Sequence, residues 1–380
     1  MAAENARESR RLSGWASRLV LVFAVSVACL FLAELAVRWL IPQPLPQPTP
    51  GIYRPDPDIG WRRNENIRVV ANTGERNVEI CTDPSGDRVD CARAEHDCAA
   101  RVLVLGDSFV EALAIPWSET IWSRLERETG ACMQVAGVGG YDPVQYAVQA
   151  RERLGQGVPI DLVILNFYSG NDFVAAADAI QPSEAVTAPE LRLLPTGFRS
   201  VDLWNWFLGL NDWLAARSHL YVATRYAVRR EIDPEGVERY GIPIALLRSR
   251  LTDELLDETA RAISFSGAAA QKAGTPLLVV VIPVKNQVLD PRGERLSAAF
   301  ARVRDEIDMD QVSKRFVPRI AGLPGVTRVV DLLEPLRAAA GPDAWGSRDP
   351  HFSPVGHALW YEGIESAVRE LLAPHQRQRS

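Results

Sequence analysis

The chain has no run of basic residues of the kind that tracks phosphates. With a net charge of −6 over 380 residues, its composition argues against a nucleic-acid partner. It has no internal repeat, and 47% hydrophobic with 24% charged residues is an ordinary globular balance, against a disordered or fibrous protein. Cysteine is scarce, at five, and no Cys-x-x-Cys pair occurs. Only His96 lies near the later four, so a zinc site is discounted and no metal ligand set is assigned. Histidine is equally rare: His96, His219, His351, His357 and His375. Chemistry that needs an imidazole therefore has few candidates.

What is present begins at the N-terminus. Leu19 to Ala33 is apolar except for Ser26, and the run continues to Leu40 through only Glu34 and Arg38. Arg7, Arg10, Arg11 and Arg18 precede it. A basic flank before a span of near-membrane length predicts a transmembrane segment over 19–40, with residues 1–18 cytoplasmic and everything later outside. A cleaved signal would need a small-residue site soon after the run, and none is convincing. Ser26-Val27-Ala28-Cys29 only faintly resembles a lipoprotein site, because more apolar residues follow Cys29.

Cys81, Cys91, Cys98 and Cys132 all follow this segment, an even number suited to an oxidising compartment. Four cysteines allow three pairings. Cys98 precedes the first core strand and Cys132 opens the second, so adjacent parallel strands would pair these two and leave Cys81 for Cys91. Residues 41–51 carry proline at every second position from Pro42 to Pro50, an extended, semi-rigid linker. Residues 52–100 are polar and turn-rich, an extension ahead of the main domain at 101–375.

From residue 101 apolar strands alternate with helices. Strands are expected at 101–105, 133–136, 161–167, 276–282 and 328–331. Helices are expected at 119–129, 143–154, 252–273, 296–321 and 354–372. Continuous apolar strands spaced by helices predict a parallel sheet covered on both faces. An insertion at about 173–250 breaks the rhythm, with Trp204, Trp206, Phe207 and Trp213 clustered in it. It is read as a helical subdomain burying its own aromatics, or alternatively as a lid.

Four short blocks sit at strand ends: Gly106-Asp107-Ser108, Gly137-Val138-Gly139-Gly140, Gly170-Asn171-Asp172 and Asp349-Pro350-His351. In an open α/β sheet the carboxyl ends of the strands are where ligands bind. A serine hydroxyl is too weakly acidic to attack an ester unaided, so an imidazole must take its proton and a carboxylate must orient that imidazole. Ser108, His351 and Asp349 fit those roles. The Ser108 and Gly140 N–H groups and the Asn171 amide fit as donors to a developing oxyanion. His357, inside the last helix, reads as a packing residue.

These ordered blocks resemble those of the SGNH, or GDSL-type, hydrolases, carried by Ser108, Gly140, Asn171 and His351 over residues 101 to about 372. The resemblance implies a flavodoxin-like three-layer α/β/α sandwich and ester or acyl chemistry without metal or cofactor. One departure stands out. Many members space acid and histidine as Asp-x-x-His, whereas here Arg348 holds the third position back and Asp349 the second. Asp349-Pro350-His351-Phe352-Ser353-Pro354 is also similar to the block of alginate-type polysaccharide O-acetyltransferases, which work in the periplasm. The Gly-x-Ser-x-Gly elbow of α/β-hydrolases is absent, since Val110 stands where its second glycine would be. The expectation is thus an esterase anchored in a bacterial inner membrane, acting outside the cytoplasm on an acylated glycan or lipid. An O-acyltransferase using the same triad is the alternative.

Overall fold

In the computed structural model the described residues are 2–43, 45, 51–92, 98–173, 213–232, 243–299, 301–347 and 349–379. The helices used below are α1 (Ala2–Leu40), α2 (Ser108–Glu111), α3 (Ile121–Thr129), α4 (Pro143–Gly155), α5 (His219–Ile232), α6 (Asp253–Ala273), α7 (Leu333–Ala339) and α8 (Pro354–Arg379). The chain forms two compact units: Met1–Pro46 with Gly197–Pro234, and Gln47–Thr196 with Glu235–Ser380. The first holds α1 and α5. Its stretch Arg18–Leu40 is long and apolar enough to cross a membrane.

The second unit is built on an eight-stranded sheet. Its parallel strands are β6 (Ala100–Leu105), β7 (Ala131–Val135), β8 (Leu162–Tyr168), β9 (Leu277–Ile282) and β10 (Arg328–Asp331). The order across the sheet begins β10-β9-β8-β6-β7. Counted from β6, that is 2-1-3-4-5, the flavodoxin-like order, and its switch point lies between β6 and β8.

Alternation along these strands explains the three layers. Val102 and Val104 of β6, Leu162 and Ile164 of β8, and Leu278 and Val280 of β9 enter one core. They meet Ile121, Trp122 and Leu125 of α3 and Trp360, Ile364 and Val368 of α8 there. Leu103, Leu105, Val163, Leu165, Val279 and Val281 enter the other, against Tyr146 and Val148 of α4 and Leu256, Ala260 and Ile263 of α6. Two buried faces are why the strands read as unbroken apolar runs. Local signals set the helix ends. Asp142 caps α4 in a capping box with Gln145, with Pro143 in the first turn. Thr252 caps α6, and Gly274 closes it in the left-handed region at φ 69°.

Two segments depart from expectation. Residues 52–100 are more than a turn-rich extension. They supply a hairpin of β1 (Tyr53–Asp56) and β2 (Gly60–Arg63). They also supply β3 (Arg68–Asn72), β4 (Asn77–Thr82) and β5 (Arg88–Val89), which continue the sheet beyond β7 in antiparallel pairing. Helix 296–321 is not one helix. Helical turns at Glu294–Ala299, Ala301–Glu306, Val312–Phe316 and Val317–Ala321 replace it. Around Ile307 the backbone turns away to pair with Leu246–Arg248. Asp308 then accepts the Asp310 N–H at 3.0 Å, a side-chain turn that competes with helix.

Both expected disulfides are present. Cys98 pairs with Cys132 (Cα–Cα 5.4 Å) and Cys81 with Cys91 (5.2 Å). The aromatic insertion residues Trp204, Trp206 and Phe207 lie outside the described residues, as does most of the proline-rich linker.

Candidate active site

Ser108 opens the short helix α2 directly after β6. Asp107 caps that helix, its Oδ1 accepting the Phe109 N–H at 2.9 Å. The bend is tight. A Cβ on Gly106 would stand 2.3 Å from Val110 Cγ2, and one on Gly137 would stand 2.4 Å from Val110 Cβ. Val110, fully buried, therefore fills the space that two glycines leave. The residue that breaks the Gly-x-Ser-x-Gly pattern is what locks this turn.

His351 reaches Ser108 from the loop before α8. Its Nε2 lies 2.7 Å from Ser108 Oγ, and its Nδ1 bonds to Asp349 Oδ1. The same Asp349 oxygen accepts the His351 backbone N–H at 3.0 Å. That is why a two-residue spacing works: a local side-chain turn puts the carboxylate on both the backbone and the ring of residue i+2. Phe109 packs edge-on to the imidazole, with ring centroids 4.9 Å apart.

The electrostatics follow from these contacts. Burial works against a charged His351, but the Asp349 hydrogen bond and charge, with Asp107 and Glu111 behind, raise its pKa above the ordinary imidazole value. Burial likewise opposes charge on Asp349, yet His351 and the Thr73 hydroxyl hold its carboxyl below the usual range. His357 is a different case. Burial pushes it down to about 3, and its Nδ1 accepts the Ile121 N–H at 3.3 Å, a packing histidine as expected.

Gly140 and Asn171 follow β7 and β8, so parallel order brings them to the edge where Ser108 sits. Gly140 is in the left-handed region at φ 80°, its Cα facing the Trp61 ring. A Cβ on Gly139 would come within 3.7 Å of Ser108 Cβ, so this loop lies beside the Ser108 side chain. Asn171 is exposed and its amide sits by Asp107. Burial raises the Asp107 carboxyl, opposed by the Phe109 N–H, the His351 charge and the Asn171 amide. Asp172, next along, is buried. Its Oδ2 accepts the Tyr146 hydroxyl and the Tyr168 N–H, both at 2.9 Å, which fixes the turn that carries Asn171. Asn171→Ala is expected to lower kcat by ~10²–10³ with little change in KM, the usual cost of one lost oxyanion donor. Steady-state kinetics on a small acyl ester would show it, and an unchanged kcat would leave Asn171 with a turn role only.

Several supporting residues escape a sequence reading. Glu111, at the end of α2, is buried and accepts the Gly139 N–H at 2.9 Å and the Tyr53 hydroxyl at 2.8 Å. It thereby ties the nucleophile helix to the loop that presents Gly140. Burial raises its carboxyl above the ordinary range against Arg63, Tyr53, Gly139 and Arg88. Arg88, also buried, donates to the carbonyls of Glu111, Ala112 and Ile115, each at 2.5 Å. Glu75 accepts the Asp349 N–H at 2.8 Å and the Ser347 hydroxyl at 3.0 Å. A carboxylate amid Phe109, Val110, Ala112 and Leu113 was a visible signal for Glu111; nothing local marks Glu75. Glu111→Ala should cut kcat by about tenfold, since it strips two buried donors of their acceptor, with KM little changed. Equal activity in the folded variant would detach the loop from catalysis.

Among the described residues, no group of three or more His, Cys, Asp or Glu is arranged to hold a metal ion. The fold and site together define an α/β sandwich of flavodoxin-like order with a serine–histidine–aspartate relay at its switch point. No family model and no curated protein matches the chain. Among solved structures it is similar to a GDSL-like lipase from Bacteroides thetaiotaomicron (13% identity, 74% of this chain and 94% of that one, TM-score 0.37). It is similar also to a member of the lipolytic G-D-S-L family from Veillonella parvula (9%, 70% and 96%, 0.34). A third is a catalytic mutant of an acetylxylan esterase from Geobacillus stearothermophilus (12%, 73% and 96%, 0.33). Likeness at this level says nothing of activity or substrate, which rest on the site itself.

Proposed function

We propose that this chain is a serine esterase of the SGNH type, working through an acyl-Ser108 intermediate on acyl esters of a cell-envelope glycan or lipid. The observation that carries the reading is the unbroken line from Ser108 Oγ through the His351 ring to Asp349. Ser108 Oγ attacks the acyl carbonyl and His351 Nε2 takes its proton. The Ser108 and Gly140 N–H groups and the Asn171 amide receive the oxyanion. Collapse expels the alcohol, which leaves with the proton held by His351. Water then attacks the acyl-serine with the same base. The apolar span, the arginines that precede it and the two disulfides favour a domain held outside the cytoplasm at the inner membrane, near envelope substrates.

Acyl transfer differs only in the last step, where a sugar hydroxyl replaces water. The two-residue spacing of Asp349 and His351, followed by Phe352-Ser353-Pro354, is the observation that favours it. Mass spectrometry of protein quenched during turnover of an activated acetyl ester tests the common step, and the acetyl group is expected on the Ser108 peptide. Label on any other residue overturns the assignment. Partition of that acyl group between water and an added oligosaccharide decides between hydrolysis and transfer.

A further inference from the structure

We propose that residues 213–232 are a second membrane-contacting element, docked on the outer end of α1 and seated in the interface of the leaflet where that end emerges. The proposal rests on reading α1 as a membrane span. Its starting point is Glu34. This carboxylate lies six residues before Leu40, the end of the apolar stretch Arg18–Leu40, which places it about 9 Å inside that end at the helical rise. A carboxylate at such depth must find partners.

One partner is on its own helix, the Arg38 guanidinium at 3.4 Å from Oε1, and the others are in the inserted segment. Glu34 Oε2 accepts the Ser218 hydroxyl at 2.8 Å and the Leu220 N–H at 2.9 Å, and Oε1 accepts the His219 N–H at 3.0 Å. These are donors of the first turn of α5, the groups a helix leaves unpaired at its N-terminus. In a bilayer those N–H groups, left unpaired, would be costly as well. Each therefore satisfies the other, and the helix dipole adds to the pairing. Two further contacts lie along the same end of α1. The Arg38 guanidinium donates to the Arg217 carbonyl at 3.1 Å, and the Gln43 N–H donates to His219 Nδ1 at 2.8 Å. Residues 217–220 are thus held at the level of Glu34, below the outer end of the span.

The surroundings suit lipid headgroups. Trp15 and Trp39 are 65% and 82% exposed. Their separation along α1, roughly 36 Å, matches a pair of interfacial aromatic belts. Trp213 is 54% exposed, and the Arg217 guanidinium lies 5.2 Å from its ring centroid. An aromatic ring paired with a cation is suited to the headgroup level, where anionic lipid attracts the charge. The occupant is therefore the bilayer that α1 itself crosses.

The full chain tests this. In a Cys29→Ser background, Leu220→Cys or Leu30→Cys would carry an environment-sensitive fluorophore, in vesicles of phosphatidylethanolamine and phosphatidylglycerol. Nitroxide lipids with the label in the headgroup or along the acyl chain act as quenchers. Position 30 should be quenched by labels deep in the acyl chain, and position 220 by labels in the headgroup or the shallow part of the chain. Glu34→Ala should lower quenching at 220 by about twofold or more, as expected when a cap is lost, and leave position 30 unchanged. Ser218→Ala, a milder change, should act in the same direction. Quenching at 30 but not at 220 overturns the docking and leaves the span intact. No quenching at either position overturns both. Quenching at 220 that ignores Glu34→Ala overturns the role of Glu34.

Discussion

Replacing Ser108 by alanine is expected to lower ester turnover by about 10⁶-fold, the scale set by serine–histidine sites in which the two residues act as a unit. His351→Ala should be comparably severe, and the double variant little worse than either. The reason is geometric. With Ser108 Oγ 2.7 Å from His351 Nε2, either residue without the other leaves no activated nucleophile. Initial rates on a small acyl ester measure the effect, with near-ultraviolet circular dichroism as the check on folding. Ser108 is only half-buried at the mouth of its turn, so losing the hydroxyl should leave the fold intact. Turnover at the wild-type level in a folded Ser108→Ala protein would refute the assignment.

The second large effect is expected from Asp349→Asn. An amide can hold the position of the carboxylate but favours the wrong imidazole tautomer and cannot stabilise the imidazolium, a change that costs about 10⁴ in kcat in sites of this design. It should also move the pH profile. His351 works as a base only when neutral, and its pKa is raised above the ordinary imidazole value against burial by Asp349. In the wild type kcat/KM should therefore fall as pH drops through a value above the ordinary one. Removing the Asp349 charge leaves burial to dominate, and the acid limb should shift downward. Stability carries the same sign. A raised imidazole pKa contributes stability that is fully present below the unfolded value and is lost as pH rises through the folded one. Asp349→Asn should remove that contribution. A pH–rate profile of the variant with its acid limb unmoved would separate Asp349 from the base.

Much of this was legible in the residues because burial on two faces writes itself plainly. β6, β8 and β9 place alternate side chains in opposite cores, so their pattern is apolar apart from Arg101 in β6 and Asn166 in β8. The residues brought to the site are those whose blocks end a strand or open a helix, where glycine, asparagine and histidine stand out against apolar flanks. The spacing of Asp349 and His351 was legible too, although its reason, one oxygen serving both ring and backbone, is not a property of the letters. The short strands β3, β4 and β5 were opaque. They are two to six residues long with mixed exposure, and such segments carry no period worth reading. Glu75 was opaque for another reason: its partner Asp349 is 274 residues away. The expected helix over 296–321 failed because Asp308 and Asp310 interrupt a pattern that otherwise keeps helical spacing.

The antiparallel pairing of β5 with β7 has a consequence for how the chain can be divided. A fragment begun at residue 101 would keep all five parallel strands and every block of the relay. It would also remove the one pairing that β7 makes on that side, Arg88 with Val135, and leave the whole strand a sheet edge, the template from which intermolecular pairing grows. Residues 68–89 thus carry the sheet past β7 and move its edge to β3. Cutting the chain back to its most readable part would therefore favour self-association through that edge.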